Sequence, residues 1–239
     1  MNVAIVHYNT PELTRATILS IRKHGGHRWR VVIFDNSDRL PLLKNMHNVD
    51  VIDNTNGQFI NFEKELSRYN KQRHGIGVNY EWGSVKHAMS VEWLLQQLQE
   101  GFLLCDSDVL LKADPTQMED EAMAAVGRTY KSCRLRYQIP RLLPNLCWVN
   151  APMCRAMGIH YFDPARSWAL GTGRTEKENW YDTGASFLAE LREKGAPWKE
   201  FDTNTLMEHY GAASHSRNSV TMQQEWLTAH DELWKNKKE

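Results

Sequence analysis

Apolar residues in the first 110 positions fall in short blocks, each closed by a polar turn. Val3 to His7 is such a block, ended by Tyr8, Asn9, Thr10 and Pro11, and it reads as a buried strand. Thr10 can cap the helix that follows, with Pro11 at its first position and Glu12 at its positive end; Gly25 and Gly26 stop it. Arg30 to Phe34 predicts a second strand, ending at Asp35, Asn36, Ser37 and Asp38. Val49 to Ile52 predicts a third, ending at Asp53 to Gly57. Phe59 to Tyr80 is polar and rich in Lys and Arg, which suits a short helix and a loop. Ser84 to Gln99 places Val85, Ala88, Met89 and Leu95 at helical spacing, and Gly101 closes that helix. Phe102 to Cys105 is a fourth strand that runs straight into Asp106, Ser107 and Asp108. Such alternation predicts an α/β domain with a mostly parallel sheet.

The pattern loosens in the second half. Residues 139–150 hold two prolines among aliphatic patches, and Phe162 to Tyr181 is rich in Gly, Trp and charge. Asp182 to Lys194 predicts a helix capped by Asp182 and closed by Gly195, and Met222 to Trp234 reads as helical. No repeat or linker divides the chain, so residues 1–239 are expected to form one domain.

Composition narrows the classes. Hydrophobic residues make up 41%, enough for a sizeable core. Lys+Arg and Asp+Glu both number 29, which argues against a dedicated nucleic-acid binder with its basic excess. No apolar run approaches the roughly 20 residues of a membrane span. The N-terminus lacks a signal-peptide pattern, so a cytoplasmic location is expected, compatible with contact at a membrane surface. Cys105, Cys133, Cys147 and Cys154 make no Cys-x-x-Cys pair, which argues against structural zinc; idle or buried thiols are expected.

The four strand exits carry Tyr8 and Asn9, Asp35, Asn54, and Asp106. Ligands of open α/β sheets collect beyond the carboxyl ends of the strands, so this shared edge is the first pointer to function. Asp106 and Asp108, one residue apart, can hold a hard cation and a ribose or bridging water; a solvated turn is the plainer alternative. Asp35 could accept the imide N–H of a uracil-like base, or could close an Asx turn.

In order and spacing, these residues resemble glycosyltransferase family 2 and its GT-A neighbours over roughly the first 110 residues. Val3 to Ile21 resembles that family's opening strand, Tyr-Asn turn and first helix; Val32 to Asp38 its second strand and base-contacting acid; Leu103 to Asp108 its metal motif. The resemblance implies a GT-A (Rossmann-like nucleotide-diphospho-sugar transferase) fold, with residues 1–110 binding the nucleotide-sugar and 111–239 facing the acceptor. It implies that Tyr8 and Asn9 frame the base and Asp35 bonds to it. Asp106 would contact ribose or metal, with Ser107 between, and Asp108 would bind Mn²⁺ or Mg²⁺. Lys86 and His87 are the nearest counterpart of a basic-polar pair near the donor, though for Lys86 a solvated helix residue is the plainer reading.

Farther on, Trp180, Tyr181 and Asp182 resemble the aromatic stretch and helix-start acid that serve the family as catalytic base. Asp is also a favoured N-cap, and the doubled acid of many relatives is missing here. Glu208 to His215 resembles the late segment whose His can complete the metal shell, with His209 the better candidate. Trp168 and Trp180 could stack on acceptor sugars. The family's Gln-x-x-Arg-Trp signature of processive synthases is absent. The implied activity is metal-dependent, inverting transfer from a nucleotide-diphosphate sugar, UDP favoured, to a glycan or glycolipid hydroxyl. A sugar nucleotidyltransferase and a non-catalytic nucleotide-sugar-binding protein are the rivals. The first normally opens with a Gly-rich basic loop, which residues 7–11 lack.

Overall fold

The computed structural model describes residues 1–42, 48–65, 82–131, 139–163, 182–211 and 220–235. Along them run β1 (Asn2–His7), α1 (Pro11–Gly25), β2 (Arg30–Asp35), β3 (Val49–Asp53), α2 (Trp82–Gln97), β4 (Phe102–Asp106) and β5 (Val109–Leu111). They are followed by β6 (Ala125–Tyr130), β7 (Arg141–Val149), α3 (Ala151–Ala156), α4 (Ala185–Glu193), β8 (Trp198–Glu200), β9 (Met207–His209), α5 (Val220–Ala229) and α6 (Asp231–Trp234).

Seven strands form one sheet in the order β3-β2-β1-β4-β7-β6-β8, and β5 pairs with β9 in a second, smaller sheet. β1 to β4 run parallel. β7 is antiparallel to both its neighbours, and β8 is parallel to β6, so the sheet is mostly parallel as expected. Both faces are covered, which is why β1 is buried at every position instead of alternating. Ala4, Val6, Phe34 and Leu104 pack on one face against Leu94 and Leu95 of α2 and Phe187 and Leu191 of α4. Val3, Ile5, Ile33 and Leu103 pack on the other against Ile18 and Ile21 of α1. Each of the larger of these side chains contributes about 1.5–3 kcal/mol by leaving water. Cys105, Cys147 and Cys154 are buried free thiols, and burial pushes the Cys154 thiol up to about 12.

Three local expectations need correction. Residues 139–150 are not irregular: β7 spans nine residues there. Pro144 is tolerated because β6 shifts register opposite it, pairing Thr129 with Leu142 and then Gly127 with Cys147, while β4 pairs only as far as Leu146. Thr10 precedes α1 without a side-chain cap bond; its hydroxyl lies 3.4 Å from that of Ser107. Asp182 does not cap a helix either. α4 begins at Ala185 with Gly184 as its N-cap residue at φ 83°. A Cβ on Gly184 would lie 1.9 Å from the Leu142 carbonyl oxygen, so only glycine lets this loop dock on β7. Among the described residues, no helix is long and apolar enough to cross a membrane.

Candidate active site

The strand order reverses between β1 and β4, the point at which α/β sheets open a crevice beyond their carboxyl ends. The register brings His7 beside Asp35 and Val6 beside Asp106, so the first, second and fourth strand exits share one edge. The Thr17 hydroxyl donates to the Ser107 carbonyl at 3.1 Å, which ties the turn after β4 to α1.

Asp106 ends β4, and Asp108 immediately precedes β5. β5 pairs with β9 so that Val109 faces His209, and the Tyr210 N–H donates to the Asp108 carbonyl at 3.0 Å. This pairing carries a histidine across a hundred residues of sequence to the acid pair. His209 Nε2 lies 3.1 Å from Asp108 Oδ1 and 3.9 Å from Asp106 Oδ2. One potential ligand atom from each of the three residues lies within 4.8 Å of the others. Two donors about 2.1 Å from one ion lie about 3 Å apart when adjacent and about 4.2 Å apart when opposite, and the two separations from His209, 3.1 and 3.9 Å, fall in that span. Two carboxylates and an imidazole are also suitable donors for such ions.

The surroundings hold these ligands in place. His87, from α2, reaches Asp106 Oδ1 with Nε2 at 3.1 Å. Burial works to raise the Asp106 carboxyl, but the bond to His87 and the charges of His87, His209 and Arg141 together outweigh it and keep the group below the usual carboxylate range. Burial likewise works to lower the His209 imidazole, and it is outweighed by the bond to Asp108 and the charges of Asp108 and Asp106, which raise it. Behind His209, the Asn145 amide approaches Nδ1 at 3.3 Å, the kind of outer contact that orients a ligating imidazole.

Asp182 is tied to Arg141, one of the charges that act on this cluster. Its Oδ2 accepts from Arg141 Nη1, while Oδ1 accepts from the Ser84 hydroxyl at 3.1 Å and the Thr183 N–H at 2.8 Å. The Arg141 charge also acts on Asp106 and on His209, so one guanidinium links the acid to the ligand set.

At the β1–β3 edge, Asp35 is 2% exposed and gives both oxygens to backbone N–H groups, of Ser37 at 2.9 Å and Leu42 at 2.8 Å. The geometry is that of the Asx turn raised as an alternative. Asn9, at φ 55°, accepts from the N–H groups of Arg39 and Leu40 at 3.0 and 2.9 Å. Asn9 Nδ2 and the Tyr8 hydroxyl donate to Asp38 at 2.6 and 2.9 Å. Lys86 Nζ stands 5.8 Å from the centre of the Tyr8 ring and 5.4 Å from that of Phe62, a cation flanked by two aromatic faces. Trp168, Trp180 and His215 lie outside the described residues.

Two residues of the site, Arg141 and Asn145, were not singled out in the sequence. His87 was, as half of the Lys86–His87 pair, but not as the partner of Asp106. Arg141 and Asn145 were hidden in a segment whose prolines masked a strand, and both face the site because they are an even number of residues apart on β7.

This fold is that of the GT-A glycosyltransferases. The structure of the galactosyltransferase LgtC in complex with donor and acceptor sugar analogs matches with a TM-score of 0.51 at 11% identity, over 85% of this chain and 74% of that one. Mouse xyloside xylosyltransferase 1, in its apo form, matches with a TM-score of 0.54 at 9% identity, over 85% of this chain and 86% of that one. No protein-family model matches the chain, and no curated protein matches it in sequence.

Proposed function

We propose that the protein is a metal-dependent glycosyltransferase, moving a sugar from a nucleotide-diphosphate-sugar donor, UDP favoured, to a hydroxyl of a glycan or glycolipid. The observation that carries this is the convergence of Asp106, Asp108 and His209 at the topological switch point, beside the Tyr8–Asn9 edge. Asp106, Asp108 and His209 would hold Mn²⁺ or Mg²⁺, which when bound offsets the negative charge that builds on a departing diphosphate. Residues 1–110 then hold the donor and residues 111–239 the acceptor. Tyr8 and Asn9 would border the base, and Lys86, beside the Tyr8 ring, would meet a donor phosphate. In this reading Asp35 shapes the base pocket through the loop that it ties.

Asp182 is the proposed base. The Ser84 hydroxyl donates to Oδ1; an acceptor hydroxyl that displaced it would give its proton to Oδ1 as its oxygen attacks the anomeric carbon from the opposite face. A single displacement inverts the anomeric configuration. The bond from Arg141 favours a second reading, in which Asp182 acts by fixing that guanidinium. The two readings separate by product anomer and by the pH profile of Asp182→Asn.

A panel of nucleotide-sugars with and without Mn²⁺, followed for nucleoside diphosphate release and for a new glycosidic bond, tests the function. Release that requires both Mn²⁺ and Asp108 supports it. Pyrophosphate release would instead indicate a nucleotidyltransferase, and tight binding with no turnover a sensor.

A further inference from the structure

A cleft of about 480 Å³ opens on the side of His209 away from the β1–β3 edge. Its lining includes Lys112, Arg128, Tyr130, Arg141, Asn145 and His209. Arg128 and Tyr130 come from alternate positions of β6, and Arg141, Leu143 and Asn145 from alternate positions of β7, so one face of each strand lines it, mostly polar, with Glu208 adding the one carboxylate among the described residues of the lining. The volume is within the range that holds a small ligand. His209 belongs to the ligand set and to this wall alike, so an occupant of the cleft abuts the reaction centre.

The charges of the lining are unequal. Lys112 is paired with Glu208 at 2.9 Å, and Arg141 with Asp182. Among the described residues Arg128 is held by the neutral Asn204 amide alone, its Nη1 donating to Oδ1 at 2.6 Å, and no carboxylate among them pairs with it. An acceptor with hydroxyls alone would leave that cation without a counter-charge in the cleft. Tyr130 adds a ring that is 41% exposed, with the Arg141 guanidinium 5.6 Å from its centre. An exposed ring beside amides and a guanidinium suits a pyranose: the ring covers a C–H face, the amides meet hydroxyls, and the guanidinium takes an acid.

We infer that this cleft is the acceptor subsite and that it selects a sugar bearing a negative group, carboxylate or phosphate, which pairs with Arg128 while the pyranose lies on Tyr130. The inference rests on the glycosyl-transfer reading above and specifies its acceptor class. Sugar acids and sugar phosphates share this chemistry; their relative affinities decide between them.

The test is calorimetric titration of the full chain, loaded with Mn²⁺ and UDP, with methyl β-glucuronide, glucose 6-phosphate and methyl β-glucoside. At least one acidic sugar should bind about tenfold more tightly than the neutral glucoside, as a single charge-assisted contact would give. The preference should shrink with added salt. Arg128→Gln should erase it, and Arg128→Lys should keep most of it, with UDP affinity unchanged in both variants. Equal binding of acidic and neutral sugars by the wild type would overturn the inference. So would loss of UDP affinity in Arg128→Gln, because the cleft would then be taking the donor diphosphate. Failure of the wild type to bind UDP with Mn²⁺ is a separate result, and it would count against the transferase reading itself.

Discussion

At the β1–β3 edge the polar side chains bond one another, as Asn9 and Tyr8 do Asp38, but several are also anchored to backbone. Asp35, Asn9 and Asn54 each accept from two N–H groups, and the loops they close are fixed before any ligand arrives. On the β6–β7 side the polar groups are tied to one another by side-chain bonds: Arg141 to Asp182, Arg128 to Asn204, Lys112 to Glu208. Backbone ties set a shape, whereas side-chain ties can be exchanged for a substrate's groups. A donor common to many reactions suits the first kind of site, and a particular acceptor suits the second. The Asp106, Asp108 and His209 cluster lies where the two kinds meet.

The sharpest break in this comparison comes at the junction. Asp108→Asn keeps the side chain's size and removes its charge, and the loss of leaving-group stabilisation should cut Mn²⁺-dependent turnover by about a thousandfold or more. Steady-state rates against donor, with circular dichroism to verify the fold, check this. Next in size is Gly184→Ala, which forces a Cβ against the Leu142 carbonyl at a left-handed position. It should destabilise the protein by about 2–4 kcal/mol in denaturant unfolding, and it should harm acceptor use more than UDP binding.

His87→Gln sharpens the role of the group behind Asp106. The loss should be about 10–100-fold in Mn²⁺ affinity, as for other partners that orient ligands, with UDP-free stability little changed. The smallest effect concerns the donor edge alone. His7 is fully buried between the Thr14 hydroxyl and the Leu40 carbonyl, and burial, only partly opposed by Asp35, lowers its imidazole. The folded state therefore resists a proton that the unfolded chain accepts. Stability should be complete above pH about 6.5 and fall as pH drops below it, with a slope from this group of at most about 1.4 kcal/mol per pH unit. Denaturant unfolding at pH 7.5 and 5.5 measures it, and His7→Gln should flatten the difference.

The same division explains what could be read along the chain. β1, α1, β2 and β4 announce themselves locally, because a strand buried on both faces is an apolar run and its exit is a polar turn. Asp106 and Asp108 were legible for that reason. His209 was reachable only through the likeness of its segment to a known pattern, since the β5–β9 pairing that delivers it spans a hundred residues. β7 was obscured by Pro144, whose cost disappears through a register shift in β6 that no local pattern reveals. The placement of Asp182 was half legible: an acid near a helix start was visible, but its docking depends on a close approach of Gly184 to Leu142.

The central claim is that Asp106, Asp108 and His209 together hold one divalent ion at the switch point. Electron paramagnetic resonance of Mn²⁺ titrated into the UDP-bound protein addresses it directly. The account expects one tightly bound ion per chain, weakened at least about tenfold by His209→Ala and abolished by Asp108→Asn. Mn²⁺ binding of unchanged affinity and stoichiometry in both variants would contradict it.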